Sequence, residues 1–136
     1  MSKNIKIRYG WLKGMYVYTI IGAGGFGLGI IFAHKVIGSL FCMPIQDSVV
    51  LGITGSVYLS FSILSILGLR SPLKFIPILL LQLSYKVIWF IGVILPIVFT
   101  GNLQTYVILY IIVFTTYIIG DLIAIPFSYV FSKQSD

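Results

Sequence analysis

The chain contains no glutamate, one cysteine and one histidine, and its three acidic residues are Asp47, Asp121 and Asp136. A single cysteine excludes an intramolecular disulfide and a multi-cysteine metal site, and a single histidine excludes a haem held by two histidines of this chain. The sequence also has no paired carboxylates, no Ser/His/acid arrangement and no H-E-x-x-H motif. We therefore expect no enzyme activity, no metal and no cofactor.

Charge is scarce throughout, since only 9% of the residues are charged whereas 59% are hydrophobic, and the mean hydropathy is +1.09. A soluble fold of 136 residues has no interior large enough for this apolar content. The formal net charge of +6 comes from basic residues in short segments beside apolar runs. We interpret them as topology signals, so the expected partner is the lipid bilayer and nucleic acid is not expected.

Four apolar runs predict transmembrane helices over about residues 15–33, 48–69, 75–99 and 105–127. Each run is long enough to cross the hydrocarbon core as a helix, and the segments between the runs contain charge, proline, glycine or small polar residues. The predicted fold is an all-α integral membrane bundle of four transmembrane helices, forming a single membrane domain over residues 1–136.

The basic residues predict the orientation of these helices, because cytoplasmic loops are enriched in lysine and arginine. They occur before the first run, between the second and third runs and in the tail, whereas Lys35 is alone on the opposite side. We therefore predict that both termini are cytoplasmic, in a multi-pass protein of a bacterial inner cell membrane. The residues that carry this prediction are Lys3, Lys6, Arg8, Lys13, Arg70, Lys74 and Lys133.

Glycines crowd the first run, where Gly22, Gly24 and Gly27 formally satisfy G-x-G-x-x-G. A dinucleotide site needs a strand before that motif and a helix after it, but here the motif lies within one apolar run. Close helix packing explains the glycines better, because small residues four positions apart let two backbones approach. The predicted packing residues, in a compact bundle or between several chains, are Gly25, Gly29, Ala33, Gly52, Ser56, Ser60, Gly120 and Ala124.

Lys86 and Asp121 are the only ionisable groups of the third and fourth runs apart from tyrosines. A charge at membrane depth costs about 2.5–3.5 kcal/mol on insertion scales, so such residues usually face a bundle interior. Gln82 lies one helical turn before Lys86 and Tyr85 lies beside it, while Tyr117 lies one turn before Asp121. These five residues are the predicted polar intramembrane site.

Three interpretations of this site remain open from the sequence. Lys86 and Asp121 can form a buried ion pair that sets the register of an antiparallel helical hairpin. They can instead line a polar cavity that binds a substrate or ion or relays a proton. A third interpretation is contact with a partner subunit.

The segments LGLRSPLKFIPILLLQLSYKVIWF and GDLIAIPFSYVF, within residues 67–131, resemble a pattern of small bacterial integral membrane proteins with four predicted helices. The resemblance implies the topology and implies that Lys86 and Asp121 are the recurring features, but it implies no activity. The leading hypothesis is a small transport or permeation protein with a polar site around these residues. The alternative is a structural or regulatory subunit of a larger membrane complex, and either protein is expected to be a homo-oligomer or to bind a membrane partner.

Overall fold

A computed structural model describes residues 6–40, 44 and 47–133, and within these ranges all regular secondary structure is helical. Lys3 and the only cysteine, Cys42, lie outside the described residues. The helices are α1 (Tyr9–Leu40), α2 (Ser48–Arg70), α3 (Ile76–Trp89), a π-helical segment (Phe90–Ile94), α4 (Leu95–Thr100), α5 (Thr105–Ala124) and α6 (Phe127–Val130).

Four helices are long and apolar enough to cross a membrane, which confirms the four predicted spans within the described part of the chain. They are α1, α2, the continuous helix Ile76–Thr100 and α5. The first is longer than predicted, since it begins at Tyr9 and continues to Leu40. Its backbone is nevertheless not helical at Ala33, with φ −146° and ψ 47°, which is where the hydropathy pattern predicts that the span ends.

Local chemistry explains several helix ends. The Asp47 side chain accepts hydrogen bonds from the backbone N–H groups of Val49 and Val50, so it caps two free donors at the start of α2. Gly101 follows α4 with φ +76°, a left-handed conformation that glycine adopts without a steric penalty. Pro126 comes two residues after the end of α5 and cannot supply the N–H that a continuing helix needs.

The third membrane helix contains a π-helical segment just after the turn that carries Lys86. Pro96 has no N–H, so it cannot donate to the residue four positions earlier. The Leu95 N–H instead donates to the Phe90 carbonyl, five positions back. The wider turn therefore lets the helix pass through a proline without ending there.

The four membrane helices form a ring in which α1 contacts α2, α2 contacts α3, α3 contacts α5 and α5 contacts α1. The closest approach is between α1 and α2. A Cβ on Gly27 would lie 2.8 Å from both the Gly55 carbonyl oxygen and the Leu59 nitrogen, and Ser62 donates to the Ile20 carbonyl over 3.1 Å. Small residues therefore bring these two backbones together.

Two long-range hydrogen bonds define one end of the bundle. The Tyr16 hydroxyl donates to the Pro72 carbonyl over 2.7 Å, and the Arg8 guanidinium donates to the Ile123 carbonyl over 2.9 Å. The start of α1, the connection between α2 and α3, and the end of α5 therefore lie at the same end. A buried cluster that includes Leu12, Tyr16, Leu79 and Ala124 fills this end.

Large apolar side chains cover the outside of the bundle, including Phe32, Ile88 and Phe99, which are 80%, 68% and 83% exposed. A soluble monomer rarely exposes so much apolar surface, whereas membrane-embedded helices place such side chains against lipid. The chain is therefore a multi-pass membrane protein, and its surface contacts the bilayer.

The predicted packing residues occupy different environments. A Cβ on Gly25 or Gly52 would meet no atom within 4 Å, and Ser56 and Ser60 are exposed. On the buried side, Gly120 lies against Met15 and Ala124 is 1% exposed. Gly29 packs against Ile37, beyond the non-helical residue Ala33 in the same chain. The contact between α1 and α2 uses Gly24, Gly27 and Gly55 instead of the row formed by Gly25, Gly29 and Ala33.

Candidate functional site: an aromatic cavity beside two buried charges

Lys86 on α3 and Asp121 on α5 are buried in the contact between these helices, with 2% and 0% of their surfaces exposed. The two groups are close enough to interact electrostatically. No hydrogen bond joins them in the part of the chain that the structure describes. The direct ion pair considered from the sequence is therefore not formed, although the two residues do lie on adjacent helices.

Aromatic groups surround the Lys86 ammonium instead. Its Nζ donates to the Tyr85 hydroxyl over 3.0 Å. The nitrogen also lies 4.4 Å, 5.0 Å and 4.6 Å from the ring centres of Tyr85, Phe114 and Tyr117. The negative faces of such rings attract a cation, and this attraction is strongest where water is excluded. These rings compensate part of the cost of burying the ammonium.

No hydrogen bond from the described residues offsets the cost of burying the Asp121 carboxyl group. Both of its carboxylate oxygens are buried, and neither has a hydrogen-bond partner among the described residues. An unsatisfied buried polar group costs free energy, and an ionised carboxylate costs more. In a bundle that otherwise buries mostly apolar groups, this carboxyl group needs a further explanation, such as a proton or a ligand that is bound only at some stage of function.

A cavity of about 300 Å³ lies beside this pair and reaches all four membrane helices. Most of its wall is aromatic, and we call it the aromatic cavity. The lining residues with polar side chains include Gln82 and Lys86. The lining residues are Tyr18, Gly22, Ala23 and Phe26 of α1, Tyr58 and Phe61 of α2, Gln82, Tyr85 and Lys86 of α3, and Leu109, Tyr110, Val113, Phe114 and Tyr117 of α5.

Stacked and edge-to-face rings hold the wall in shape. Tyr85 stacks on Phe61 with ring centres 5.7 Å apart and meets the edge of Phe114 at 6.0 Å. Tyr18 and Tyr117 stack at 4.0 Å. These are favourable arrangements of aromatic pairs, so α1, α2, α3 and α5 are linked through the cavity wall itself.

Polar contacts fix the position of two lining residues. The Tyr117 hydroxyl donates to the Tyr18 carbonyl over 3.0 Å, and a side chain on Gly22 would collide with that hydroxyl. The Gln82 amide donates to the Thr19 hydroxyl over 3.2 Å, and both side chains are fully buried. Gly22 is thus needed for close approach of a tyrosine, which gives part of the formal glycine motif a structural role.

Two residues that line the aromatic cavity are also partly exposed, namely Tyr18 of α1 at 36% and Val113 of α5 at 41%. Both lie inside membrane helices, so the surface that they expose outside the bundle faces the bilayer.

The structure brings together all five residues of the polar site predicted from the sequence. Gln82, Tyr85, Lys86 and Tyr117 line the aromatic cavity, and Asp121 is buried behind them. The site predicted from the sequence lacks the aromatic lining residues from the first half of the chain, which are Tyr18, Phe26, Tyr58 and Phe61. The sequence does show that Tyr18, Tyr58 and Phe61 are aromatic residues inside predicted spans. Aromatic residues also occur on surfaces that face lipid, so this feature alone does not place them in a cavity wall.

Comparison of the chain with known protein families, curated proteins and solved structures finds no match to any of them.

Proposed function

We propose that the protein binds a small solute in the aromatic cavity and moves it across the membrane. The supporting observation is the combination of a cavity of about 300 Å³ with the buried Lys86 in its wall and the buried carboxyl group of Asp121, which has no hydrogen-bond partner among the described residues. Ligand sites are typically concave and mostly apolar, with a few convergent polar groups. Ionisable groups at membrane depth are typical of substrate and proton pathways.

A purely structural role accounts less well for this arrangement. A pair that only held α3 and α5 in register would gain most from a direct salt bridge with its remaining donors and acceptors satisfied. Here the ammonium faces rings, and the carboxylate oxygens accept no hydrogen bond from any residue that the structure describes. The cost of such an arrangement is more readily explained if a solute or a proton completes it during transport.

The orientation follows from the end of the bundle defined by Tyr16 and Arg8. The contacts of these residues place Arg8 and the Arg70–Lys74 connection at the same end as the carboxyl end of α5. This clustering of basic residues supports the proposal that both termini are cytoplasmic, and we propose a bacterial cell membrane as the location. Most lining residues lie near the middle of their membrane helices, so the aromatic cavity is then close to the middle of the bilayer.

Purification in native lipid, followed by mass spectrometry, tests the proposed function. We expect a small molecule at about one copy per chain that is lost in Ala23→Trp, since Ala23 lines the cavity and a large ring there would fill it. Leu28→Trp is the matched control, because Leu28 lies on the same helix and is 47% exposed. The released compound should then exchange across liposomes that contain the wild-type protein and not across those that contain Ala23→Trp.

A second candidate function is a scaffold subunit of a membrane complex, and one observation favours it. Gly52, Ser56 and Ser60 form an uncovered small-residue face on α2, a surface that a helix of another subunit can approach closely. A preparation without a bound small molecule but with a stoichiometric partner protein would support this function and contradict transport. A stable protein with neither would contradict both.

A further inference from the structure

The charge of the aromatic cavity is of one sign. Among the described side chains that line it, Lys86 is the one with a formal charge, and it is a cation. Asp121 interacts electrostatically with Lys86 but is not part of the lining. Lys86 is therefore the charged residue of the cavity wall, whereas Asp121 lies outside that wall.

The rest of the wall favours an apolar body. Phe26, Phe61 and Phe114 supply hydrocarbon rings, and Leu109 and Val113 supply aliphatic groups. All lining residues lie within membrane helices, so the cavity is at membrane depth and suits molecules that partition into the bilayer. A solute that suits both features is amphipathic, with its polar group directed at Lys86.

The protonation state of the Asp121 carboxyl group sets the net charge of the pair that it forms with Lys86. While the carboxyl group is ionised, Lys86 and Asp121 together carry no net charge, so the site attracts an anion weakly. When Asp121 holds a proton, the ammonium is left with unit positive charge for an anionic ligand. The other titratable groups that interact with Asp121 are Tyr85 and Tyr117, which also face Lys86 and are neutral near pH 7.

We infer that the aromatic cavity binds amphipathic organic anions, with the acid group on the Lys86 ammonium, and that each anion binds together with one proton taken up by Asp121. The charge balances, because the anion offsets the ammonium and the proton neutralises the carboxylate. This inference rests on the proposed function and names the class of its substrate. The chemistry is shared by free aromatic acids and by fatty acids, which the probes below distinguish.

Three probes that share a phenyl ring and a three-carbon chain test which ligand charge the cavity prefers. They are the anion hydrocinnamate, the neutral hydrocinnamamide and the cation phenylpropylammonium. Trp11→Phe leaves Trp89 as the only tryptophan, and the Trp89 ring lies 4.9 Å from that of Phe114 in the cavity wall. Its fluorescence in lipid nanodiscs therefore reports binding, with empty nanodiscs correcting for partition of the probes. We expect the acid to bind at least about tenfold more tightly than the amide, the effect of one charge-assisted hydrogen bond, and the ammonium to bind more weakly still.

Decanoate provides the linear acid for comparison. Tighter binding of decanoate than of hydrocinnamate would identify a fatty-acid ligand, and the reverse order would identify an aromatic acid. Both outcomes agree with an anion site. Lys86→Gln should abolish the preference for the acid over the amide while leaving amide binding within about twofold, since the apolar wall is retained.

Proton uptake is measured with a pH indicator in weakly buffered solution near neutral pH. We expect about one proton per bound acid in the wild-type protein, so the affinity for the acid falls as pH rises. Asp121→Asn imitates the protonated carboxyl group, and it should bind the acid without proton uptake and with little dependence on pH. Wild-type binding without proton uptake, or uptake that persists in Asp121→Asn, would overturn the coupling to Asp121.

The same measurements separate this inference from the proposed function. Preference for the ammonium or for the amide over both acids would overturn the anion site while leaving a solute-binding cavity. Absence of binding by all four probes would overturn the anion site too, and the mass spectrometry of the native preparation then decides whether another solute occupies the cavity. Circular dichroism and gel filtration of each variant verify that it is folded.

Discussion

The Lys86 ammonium lies 4.6 Å from the centre of the Tyr117 ring. Asp121 lies one turn after Tyr117 on the same helix, but it forms no hydrogen bond with Lys86. Aromatic faces and the Tyr85 hydroxyl thus stabilise the cation, whereas the carboxyl group is buried with no hydrogen-bond partner among the described residues. The surroundings therefore stabilise the two buried charges to different extents, and measurements of the free energy of unfolding can test this.

The contributions of the two charges to stability should depend on each other. Lys86→Met removes the cation with which Asp121 interacts, and Asp121→Asn leaves the ammonium without its electrostatic partner. We expect the double variant to be more stable than the sum of the single changes predicts, by about 1–3 kcal/mol. Equilibrium unfolding in mixed micelles measures this coupling.

Lys74→Met serves as the control for that cycle, because Lys74 is exposed and its loss should change the free energy of unfolding by less than about 0.5 kcal/mol. Strict additivity of Lys86→Met and Asp121→Asn would show that the two groups do not depend on each other.

Two glycines that lie two positions apart in α1, in different environments, test the contact between α1 and α2. Gly27→Ala would place a Cβ 2.8 Å from backbone atoms of α2, so the helices must separate, and we expect a loss of about 1–3 kcal/mol. Gly25→Ala adds a Cβ in open space and should be neutral or slightly stabilising, since alanine favours the helix. Equal effects of the two changes in the same unfolding assay would contradict the observed packing.

Tyr16→Phe should destabilise the end of the bundle that it links to the α2–α3 connection. The hydroxyl donates to the Pro72 carbonyl over 2.7 Å and the side chain is fully buried. Loss of this hydrogen bond is expected to cost about 1 kcal/mol. Tyr9→Phe is the matched control, because Tyr9 is 46% exposed. A Tyr16→Phe protein with the unfolding midpoint of the wild type would exclude a stabilising role for the bond.

Reporter fusions test the proposed orientation. Green fluorescent protein after Lys133 should fluoresce, because it folds in the cytoplasm, and alkaline phosphatase inserted at Asn102 should be active, because that enzyme needs the outer side. Asn102 lies in the turn between α4 and α5, at the end opposite to Arg70 and Lys74. The exchanged fusions serve as controls, and activity of the reporters in the exchanged positions would invert the topology.

Much of the fold could be predicted from hydropathy, because each membrane helix must hide its own backbone hydrogen bonds and needs a run of apolar residues of sufficient length. The non-helical residue Ala33 and the continuation of α1 to Leu40 were not evident, since both depend on local packing. The π-helical segment before Pro96 was also not evident, because a proline in a membrane helix is compatible with an end, a kink or a wider turn.

The rows of small residues also show which features the sequence predicts and which depend on packing between helices. Gly25, Gly29 and Ala33 have the spacing of a packing face, but Gly24 and Gly27 make the close contact with α2. In a helix that is apolar on all sides, the hydrophobic pattern does not distinguish the face that meets lipid from the face that meets another helix. Spacing alone therefore could not select the correct row.

The sequence by itself determined that the chain crosses the membrane four times and that Lys86 and Asp121 lie inside the bundle, because the cost of exposing a charge to lipid leaves few alternatives. Only the tertiary structure decided that the two charges do not form a direct salt bridge, that rings of α3 and α5 surround the ammonium and that a cavity lined by all four membrane helices lies beside it. Those features depend on the rotation and spacing of helices relative to one another. Side-chain packing between helices sets that geometry, and hydropathy along one chain does not record it.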